Sequence, residues 1–309
     1  MSEPKRRPIL LSTTMPADLT ILILTMNEEE NLPKALASVK GLAKRVVVVD
    51  SGSTDRTMAI AREAGADVYE NGWVNHATQV NWGLDNTDID TAWTFRLDAD
   101  EEVLPDLAAF LQNDLESMSG NIDGIEVRRR IYFLGRWIRH GGIYPNHVLR
   151  IFRNGRSRCE MTWMDEHMVV EGDVYRLNAD LKDENTKPLR WWTAKHNWYS
   201  DRELFNLLES DQDGEADGVT PRFFGTQGER RRWLKTRVYA RFPMSWRSRL
   251  YFLYRYYIQR GFLDGPEGRI FHFLQAHWYR FLVDAKYFEA RKFPKIRKDL
   301  VEEVKQSLD

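Results

Sequence analysis

The sequence has almost no cysteine, no excess of basic charge and no long apolar run. Its 309 residues include one cysteine, Cys159, so an internal disulfide is impossible and a cysteine-based metal site is not expected. Lys+Arg total 45 and Asp+Glu total 46, a balance that argues against a protein that coats nucleic acid. No segment approaches the roughly 18–20 apolar residues that span a bilayer. We therefore expect a reducing compartment, no nucleic-acid partner and no membrane span.

The N-terminal residues also lack the features of a secretory signal. Met1–Arg7 are charged, and the apolar stretch Pro8–Leu11 is too short for the core of a signal peptide. The sequence therefore predicts a chain that is not exported through such a signal.

Strand and helix patterns alternate along the first hundred residues. Short apolar runs typical of parallel strands buried on both faces occur at Leu19–Thr25 and Arg45–Asp50. Helix patterns separate them from a short strand at Asp67–Glu70 and a fourth at Ala92–Leu97. This alternation predicts an α/β fold with a Rossmann-like, mainly parallel central sheet, in which ligands gather at the carboxyl ends of the strands.

Polar residues follow the ends of these strands. Asp98 and Asp100 come directly after the fourth strand, and such paired carboxylates suit Mg²⁺ or Mn²⁺, usually shared with substrate phosphates. Asp50 ends the second strand and could accept hydrogen bonds from a base or ribose. The loop after Asp50 has an alternative role in the structure, because Ser53 or Asp55 could cap the next helix. The strand ends therefore indicate a site for a nucleotide and a metal.

Three segments, in this order along the chain, resemble the family 2 glycosyltransferases, which have the GT-A fold. They read ILILTMNEEENLPKALASV, VVVVDSGSTDRTMAIA and WTFRLDADEEV. The resemblance implies inverting, metal-dependent transfer of a sugar from a nucleotide-diphosphate sugar, most simply a UDP-sugar. It places the metal on Asp98 and Asp100, and nucleotide-sugar binding on Thr25, Asn27, Glu28, Asp50, Ser51 and Asp98. Ser51 departs from the pattern, because many members carry a second Asp there. The identity of the nucleobase in the donor therefore stays open.

The transfer reaction also needs a general base in the protein, because the acceptor hydroxyl must lose its proton as it attacks. Asp165, Glu166 and His167 form a cluster between aromatic and apolar residues, where burial raises the pKa of a carboxylate. The family places an acidic motif past the Asp-x-Asp, and spacing favours Glu166, with Asp165 as the alternate. The other interpretation is an exposed turn that pairs with Arg156 or Arg158.

A tryptophan-rich stretch follows. The resemblance places His196 near the metal or diphosphate, although a core or capping role is equally open. Lys195 could contact the diphosphate. Trp191, Trp192 and Trp198 form either a wall for sugars or part of the core.

Cations and aromatic rings are concentrated at Arg230–Arg260. This span holds ten Lys/Arg, nine aromatic residues and no acid. A basic, aromatic helix is suited to binding in the anionic headgroup layer of a membrane. Packing on the catalytic domain is one alternative, and Tyr251, Tyr254 and Ile258 have the spacing for it. A nucleic-acid groove is the other, but no binding motif accompanies the span. We expect the span to bind a membrane surface.

Later segments narrow the resemblance. DEHMVVEG, WWTAKHNWYSDRE and FLYRYYIQRGFLDGPEGRIFHFLQAHWYRFLVDAKYFE resemble bacterial family 2 enzymes that build lipopolysaccharide core or exopolysaccharide. That resemblance implies a lipid-linked glycan as acceptor. It also implies a cytoplasmic protein, peripherally associated with the inner face of the cytoplasmic membrane.

These patterns predict three regions. Residues 1–17 form a tail, 18–228 a GT-A catalytic domain and 229–309 a helical membrane-associating extension. Within the catalytic domain, 18–101 would bind the nucleotide-sugar and 102–228 the acceptor. The acidic segment Ser210–Asp217 is predicted to be an exposed, mobile loop.

Two other functions fit parts of the pattern. A sugar-phosphate nucleotidyltransferase would share the sheet and the metal carboxylates, but it needs a glycine-rich loop after the first strand, where this chain has the acidic Met26–Glu30. A catalytically inactive membrane adaptor would share the fold. The intact Asp-x-Asp, the Asp165–Glu166 pair and His196 argue against it.

Overall fold

The computed structural model describes residues 15–160, 167–213 and 244–298. Its main feature is a nine-stranded mixed sheet. The strands of this sheet are β1 (Ala17–Thr25), β2 (Ala43–Asp50), β3 (Asp67–Glu70), β4 (Trp93–Asp98), β5 (Glu101–Val103), β6 (Ile122–Phe133), β7 (Arg136–Trp137), β8 (His147–Arg153) and β11 (Asp173–Asp183). A separate hairpin pairs β9 (Ser157–Cys159) with β10 (Met168–Val170).

The strand order is β3-β2-β1-β4-β8-β6-β11-β5, with β7 beside β6. The first four strands are parallel, and β11 is parallel to β6, whereas β8 and β5 run antiparallel to their neighbours. Thr25 pairs with Asp50, and Leu24 with Asp98, so the polar ends of β1, β2 and β4 lie side by side. The mainly parallel α/β sheet is therefore confirmed.

Both faces of the parallel half are buried, which explains its continuous apolar runs. Leu19, Ile21 and Ile23 of β1 join the large core cluster on one face. Leu22 packs with Val47 and Val49 on the other face. Alternate residues of a strand point to opposite faces, so only a strand covered on both sides needs apolar residues throughout.

Helices cover the sheet and make up the C-terminal part. They are α1 (Leu32–Ser38), α2 (Thr57–Glu63), α3 (His76–Asn86), α4 (Pro105–Asn113), α5 (Leu189–Asp213), α6 (Met244–Leu253), α7 (Gly265–His272) and α8 (Tyr279–Lys292). A π-turn extends α6 over Tyr254–Ile258 and another joins α7 to α8 over Phe273–Trp278. No helix in the described ranges is long and apolar enough to cross a membrane.

Two boundaries differ from the sequence-based expectation. The predicted loop at Ser210–Asp217 begins too early, since α5 continues to Asp213; the remainder of that segment lies outside the described residues. The glycines of Gly261–Gly268 also predict a break between helices, and the observed break is shorter than this segment. It is a 3₁₀ turn at Gly261–Asp264, after which α7 begins.

The C-terminal helices are anchored to the sheet through the connection between β7 and β8. The Asp264 carboxylate accepts hydrogen bonds from the backbone N–H of His140 at 2.8 Å and pairs with its Nδ1 at 2.6 Å. Arg255 Nε donates to the carbonyl of Gly141 at 3.0 Å. Gly141 has a φ of 72°, and a Cβ there would lie 2.1 Å from the ring of His272. The anchor therefore requires glycine at this position.

Candidate active site

A cleft of about 1260 Å³ opens at the carboxyl ends of β1, β2 and β4. Helix α5 forms a second wall, and the C-terminal helical region contributes Phe271, Gln275 and Tyr279. The structure brings these sequence-predicted residues into its lining: Thr25, Glu28, Ser51, Asp98, Asp100, Lys195 and His196. Asn27 and Asp50 are not among the lining residues.

Asp50 lies beneath the cleft, with its side chain fully buried. One carboxylate oxygen accepts hydrogen bonds from the hydroxyls of Thr25 at 2.8 Å and Ser53 at 2.6 Å. The other accepts from the backbone N–H groups of Gly52 at 3.0 Å and Ser53 at 2.7 Å. Asp50 thus ties the ends of β1 and β2 together, and its contact with a donor stays a prediction.

Asn27 joins the two loops that follow β1 and β2. Its side-chain oxygen accepts a hydrogen bond from the backbone of Thr54 at 2.8 Å, and its own N–H donates to the Ser53 hydroxyl at 2.8 Å. Its φ of 55° lies in the left-handed region, which asparagine tolerates better than most residues. On the cleft surface beside it, the Ser51 hydroxyl accepts from Gln79 at 2.9 Å.

Two arginines hold Asp98. Arg96 donates to one carboxylate oxygen at 3.0 Å and the buried Arg150 donates to the other at 2.5 Å. Burial opposes the charge of Asp98, but Arg150 and Arg96 together hold the pKa of its carboxyl well below the ordinary value. Arg150 also donates to Glu101 at 2.5 Å. Asp98 is therefore ionised at neutral pH, with both oxygens already paired.

Asp100 is the carboxylate better placed to meet a cation. One of its oxygens accepts a hydrogen bond from Asn185 at 2.9 Å, and the second has no hydrogen-bond donor among the described residues. Nearby, burial and the negative charge of Asp100 raise the pKa of Asp183 to about 7. The described ranges contain no group of three or more His, Cys, Asp or Glu side chains arranged to hold a metal. This donor set fits Mg²⁺ or Mn²⁺ taking most of its ligands from phosphates and water.

His196 lies on the α5 wall with both ring nitrogens engaged. Nδ1 lies 2.9 Å from the carbonyl of Trp192, and Nε2 lies 3.1 Å from the side-chain nitrogen of Gln275. With this amide orientation Gln275 can only donate, so Nε2 accepts and Nδ1 carries the proton. Burial lowers the pKa of His196 and favours the neutral ring, which stacks on Trp192 at 3.5 Å. To bind a metal through Nε2, the ring would have to lose its hydrogen bond from Gln275.

Lys195 is a cation on the same wall. Its Nζ lies over the rings of Trp191 at 4.8 Å and Tyr199 at 5.6 Å, and no carboxylate of the described residues lies within 4 Å of it. Burial favours the neutral amine, but Tyr199 and Asp100 outweigh it and raise the pKa of Lys195. By contrast, Lys187 is paired with Glu28 at 2.7 Å. Lys195 is therefore charged and available to an anionic ligand.

Asp165 and Glu166, the candidate bases, lie outside the described residues. Their flanks are described: the N–H of Glu160 donates to the carbonyl of His167 at 3.0 Å, next to the β9–β10 hairpin. His167 lines the cleft. In the chain, the candidate bases therefore directly precede a residue of the cleft wall.

The described part of Arg230–Arg260 begins at residue 244. Some of its side chains are buried against other helices and others are exposed. Arg247 pairs with Asp284 of α8, and Arg255 is buried, so these two cations are internal. The alternative interpretation, packing on the catalytic domain, does not describe Tyr254 and Ile258, because their side chains are 48% and 71% exposed. They belong to an exposed apolar surface, which we call the C-terminal surface: Trp246, Leu250, Leu253, Tyr254, Tyr257, Ile258, Phe262 and Leu263.

Comparison with known proteins identifies the family. The family model described as Glycosyl transferase family 2 matches residues 20–169. The chain is also 30% identical over 269 residues to the lipopolysaccharide core biosynthesis glycosyltransferase LpsC of Rhizobium meliloti, covering 84% of this chain and 90% of that protein. The chain belongs to glycosyl transferase family 2. This family 2 glycosyltransferase is therefore a transferase enzyme, and its mainly parallel sheet with a helical C-terminal part is the predicted GT-A fold.

Other similarities are weaker. An uncharacterized glycosyltransferase of Rickettsia typhi is 24% identical over 285 residues, 88% of this chain and 87% of that protein. Among solved structures, glucosyl-3-phosphoglycerate synthase from Mycobacterium tuberculosis in complex with Mg²⁺ and UDP is similar with a TM-score of 0.38 at 16% identity. That match covers 58% of this chain and 75% of the synthase chain, too distant to carry an argument about the site.

Several residues of the glycosyltransferase cleft were not found from the sequence. Arg96 and Arg150 each interrupt an apolar strand, in TFRLD and VLRIF, and a charge inside a buried strand is a signal for a buried partner. Asp183 lies at the end of β11, and Gln275 lies in the helical region. No local pattern marks these two, because the chain brings them to the cleft from distant segments.

Proposed function

We propose that this glycosyltransferase is an inverting, metal-dependent enzyme that transfers a sugar from a UDP-sugar to a lipid-linked glycan. The observation that carries the proposal is the meeting of Asp98, Asp100 and Lys195 in one cleft at the ends of parallel strands. A carboxylate oxygen free to bind a divalent cation, and an ammonium with no carboxylate partner among the described residues, suit a metal-bound nucleotide diphosphate.

Each residue has a proposed role. Asp100, and Asp98 behind its arginines, hold the cation and the donor, and Lys195 binds the diphosphate. A bound Mg²⁺ or Mn²⁺ would offset the charge that develops on the departing diphosphate. Glu166, or Asp165, removes the proton of the acceptor hydroxyl as that oxygen attacks the anomeric carbon. The engaged ring of His196 supports a part in the cleft wall in place of metal binding.

The lipid-linked acceptor is proposed from the surface beside the cleft and from the relative LpsC. Leu134, at the turn between β6 and β7, lines the cleft and is 57% exposed. Arg136, the first residue of β7, donates to the carbonyl of Leu263, a residue of the C-terminal surface, at 3.5 Å. Arg249 and Arg260 are exposed near that surface. Together these features support a protein peripherally bound to the inner face of the cytoplasmic membrane, acting in lipopolysaccharide core biosynthesis.

The test is a screen of nucleotide-sugars that measures released nucleotide, with bacterial membrane extract as the source of acceptor. We expect turnover with a UDP-sugar and Mg²⁺ or Mn²⁺, and losses of about 100-fold or more for Asp100→Asn and Glu166→Gln. Asp173→Asn changes an exposed carboxylate outside the cleft and serves as the matched control. Near-normal turnover of both folded variants would overturn the site assignment.

A further inference from the structure

One tryptophan of the cleft stands apart from the α5 wall. Trp73 follows β3, lines the cleft and is 40% exposed. Indole rings bury a large apolar area when they are covered, and an exposed one inside a polar cleft indicates a surface that a ligand covers. The roles proposed above do not use this ring.

Hydrogen bonds fix the connection that carries Trp73. The N–H of Asn71 donates to the carbonyl of Asp50 at 2.9 Å, and its side-chain amide donates to Gln79 at 2.7 Å. Gln79 in turn donates to the Ser51 hydroxyl at 2.9 Å. On the other side, Asn75 caps α3 by accepting from the N–H of Thr78 at 2.8 Å. Trp73 therefore sits between two anchored points, next to the end of β2.

The carboxylates of the cleft and Trp73 lie at opposite edges of the four parallel strands. In the sheet order β3-β2-β1-β4, Asp98 ends β4 and Asp100 follows it, whereas Trp73 follows β3 at the far edge. Neighbouring strands lie about 4.8 Å apart, so the ends of β4 and β3, three spacings apart, are separated by roughly 14 Å. A nucleoside diphosphate is likewise anionic at one end and flat and aromatic at the other, and it spans a comparable length.

Polar recognition of a base by the loop after β2 is limited. Both oxygens of Asp50 are used by four hydrogen bonds within the protein. The Ser51 hydroxyl already accepts from Gln79. Beside this loop, Trp73 and Met26 line the cleft with exposed apolar side chains, and Met26 is 49% exposed.

We propose that Trp73 stacks on the nucleobase of the donor and supplies most of the affinity for the base. The inference rests on the proposed function and goes one step further, since it names the residue that holds the base. Every base has a π-face, so stacking favours any base over none and distinguishes weakly between bases.

The experiment measures binding of UDP and of pyrophosphate, which has no base, to the full chain with Mn²⁺ by calorimetry. Trp73→Ala should weaken UDP binding by about 5- to 100-fold and change pyrophosphate binding by less than about 2-fold. Trp73→Phe should retain most of the UDP affinity. Tyr175→Ala removes a ring that is 43% exposed outside the cleft and is the control.

The outcomes separate the two proposals. Absence of UDP binding by the unmodified protein would contradict the proposed function itself. UDP binding that Trp73→Ala leaves unchanged, or an equal loss of UDP and pyrophosphate affinity, would overturn the stacking role while leaving the proposed function in place.

Discussion

Arg150 donates a hydrogen bond to Asp98 across 52 residues of sequence, at 2.5 Å and almost out of contact with solvent. The same guanidinium reaches Glu101. One cation thus sits between two acids at the inner wall of the cleft. Because charges in this setting are only tolerated when paired, the arrangement fixes where Asp98 can point.

Removal of Arg150 should therefore destabilise the protein. In Arg150→Leu, Glu101 and Asp98 lose a shared counter-charge, and breaking a buried pair from one side costs about 3–5 kcal/mol. We expect a loss of that size in urea unfolding at pH 7. Arg158→Leu breaks a surface ion pair with Asp85, whose two side chains are 59% and 50% exposed. This change should cost less than about 1 kcal/mol. Equal losses in the two variants would contradict the buried role of Arg150.

Stability should fall as the pH rises from about 4 to about 7, because of Asp183. Burial and Asp100 raise its pKa to about 7, so the folded state binds a proton that the unfolded state has released near pH 4. Asp183→Asn removes this titration and should gain about 1–3 kcal/mol relative to the unmodified protein across that window. Urea unfolding at several pH values measures it. A difference between the two proteins that does not vary with pH would refute the shift.

Asp98 changes the stability with pH in the opposite direction to Asp183. The arginines hold its pKa below the unfolded value, so its contribution to stability is present above about pH 4 and is lost as the pH falls further. The two carboxylates therefore act on stability in separate pH ranges, and the Asp183→Asn comparison is best made above pH 4.

The strand ends could be predicted from the sequence because each apolar run stops at a polar residue. β1 ends at Thr25 and β4 at Asp98, as the runs LTILILT and AWTFRL indicate. Parallel neighbours then bring these ends to one edge of the sheet. The strand ends indicate the Asp-x-Asp and the family resemblance adds Glu28 and Ser51, and all four residues line the cleft.

Strand β11 and helix α5 could not be predicted in the same way. β11 carries charges that pair with neighbouring strands, such as Lys182 with Glu102 at 2.8 Å and Arg176 with Glu126 at 2.8 Å. Its sequence therefore lacks an apolar run. In α5, one face lines the cleft with Trp191, Lys195 and Trp198, and residues such as Phe205 are buried, so apolar residues occur all around the helix.

Glycine at 141 should be required for docking of the helical region. Gly141→Ala would place a methyl group against the ring of His272 at a positive φ, and we expect a loss of about 2–4 kcal/mol in the free energy of unfolding. Gly155 has a similar φ of 76° but open space around its Cα, so Gly155→Ala should cost only about 1 kcal/mol of backbone strain. Comparable losses would show that contact with His272 is unimportant.

His196 should remain neutral below its ordinary pKa in the unmodified protein. Gln275→Glu replaces the donor at Nε2 by a carboxylate, which favours the protonated ring and should raise the pKa of His196 by about one unit or more. NMR titration of the histidine ring nitrogens measures both proteins. Asp284, an acid on α8 paired with Arg247, offers a comparison, since Asp284→Asn should leave this titration unchanged.

The C-terminal surface should control binding to anionic vesicles. Ile258 is 71% exposed, and Ile258→Glu places a negative charge where an apolar residue would meet the acyl boundary. We expect binding to vesicles that contain phosphatidylglycerol to fall about 10-fold or more in co-sedimentation, with catalysis on a water-soluble acceptor retained. Tyr175→Glu makes a similar change on β11, away from this surface, and should leave vesicle binding within about 2-fold. If both variants bind vesicles equally well, the membrane contact lies elsewhere on the protein.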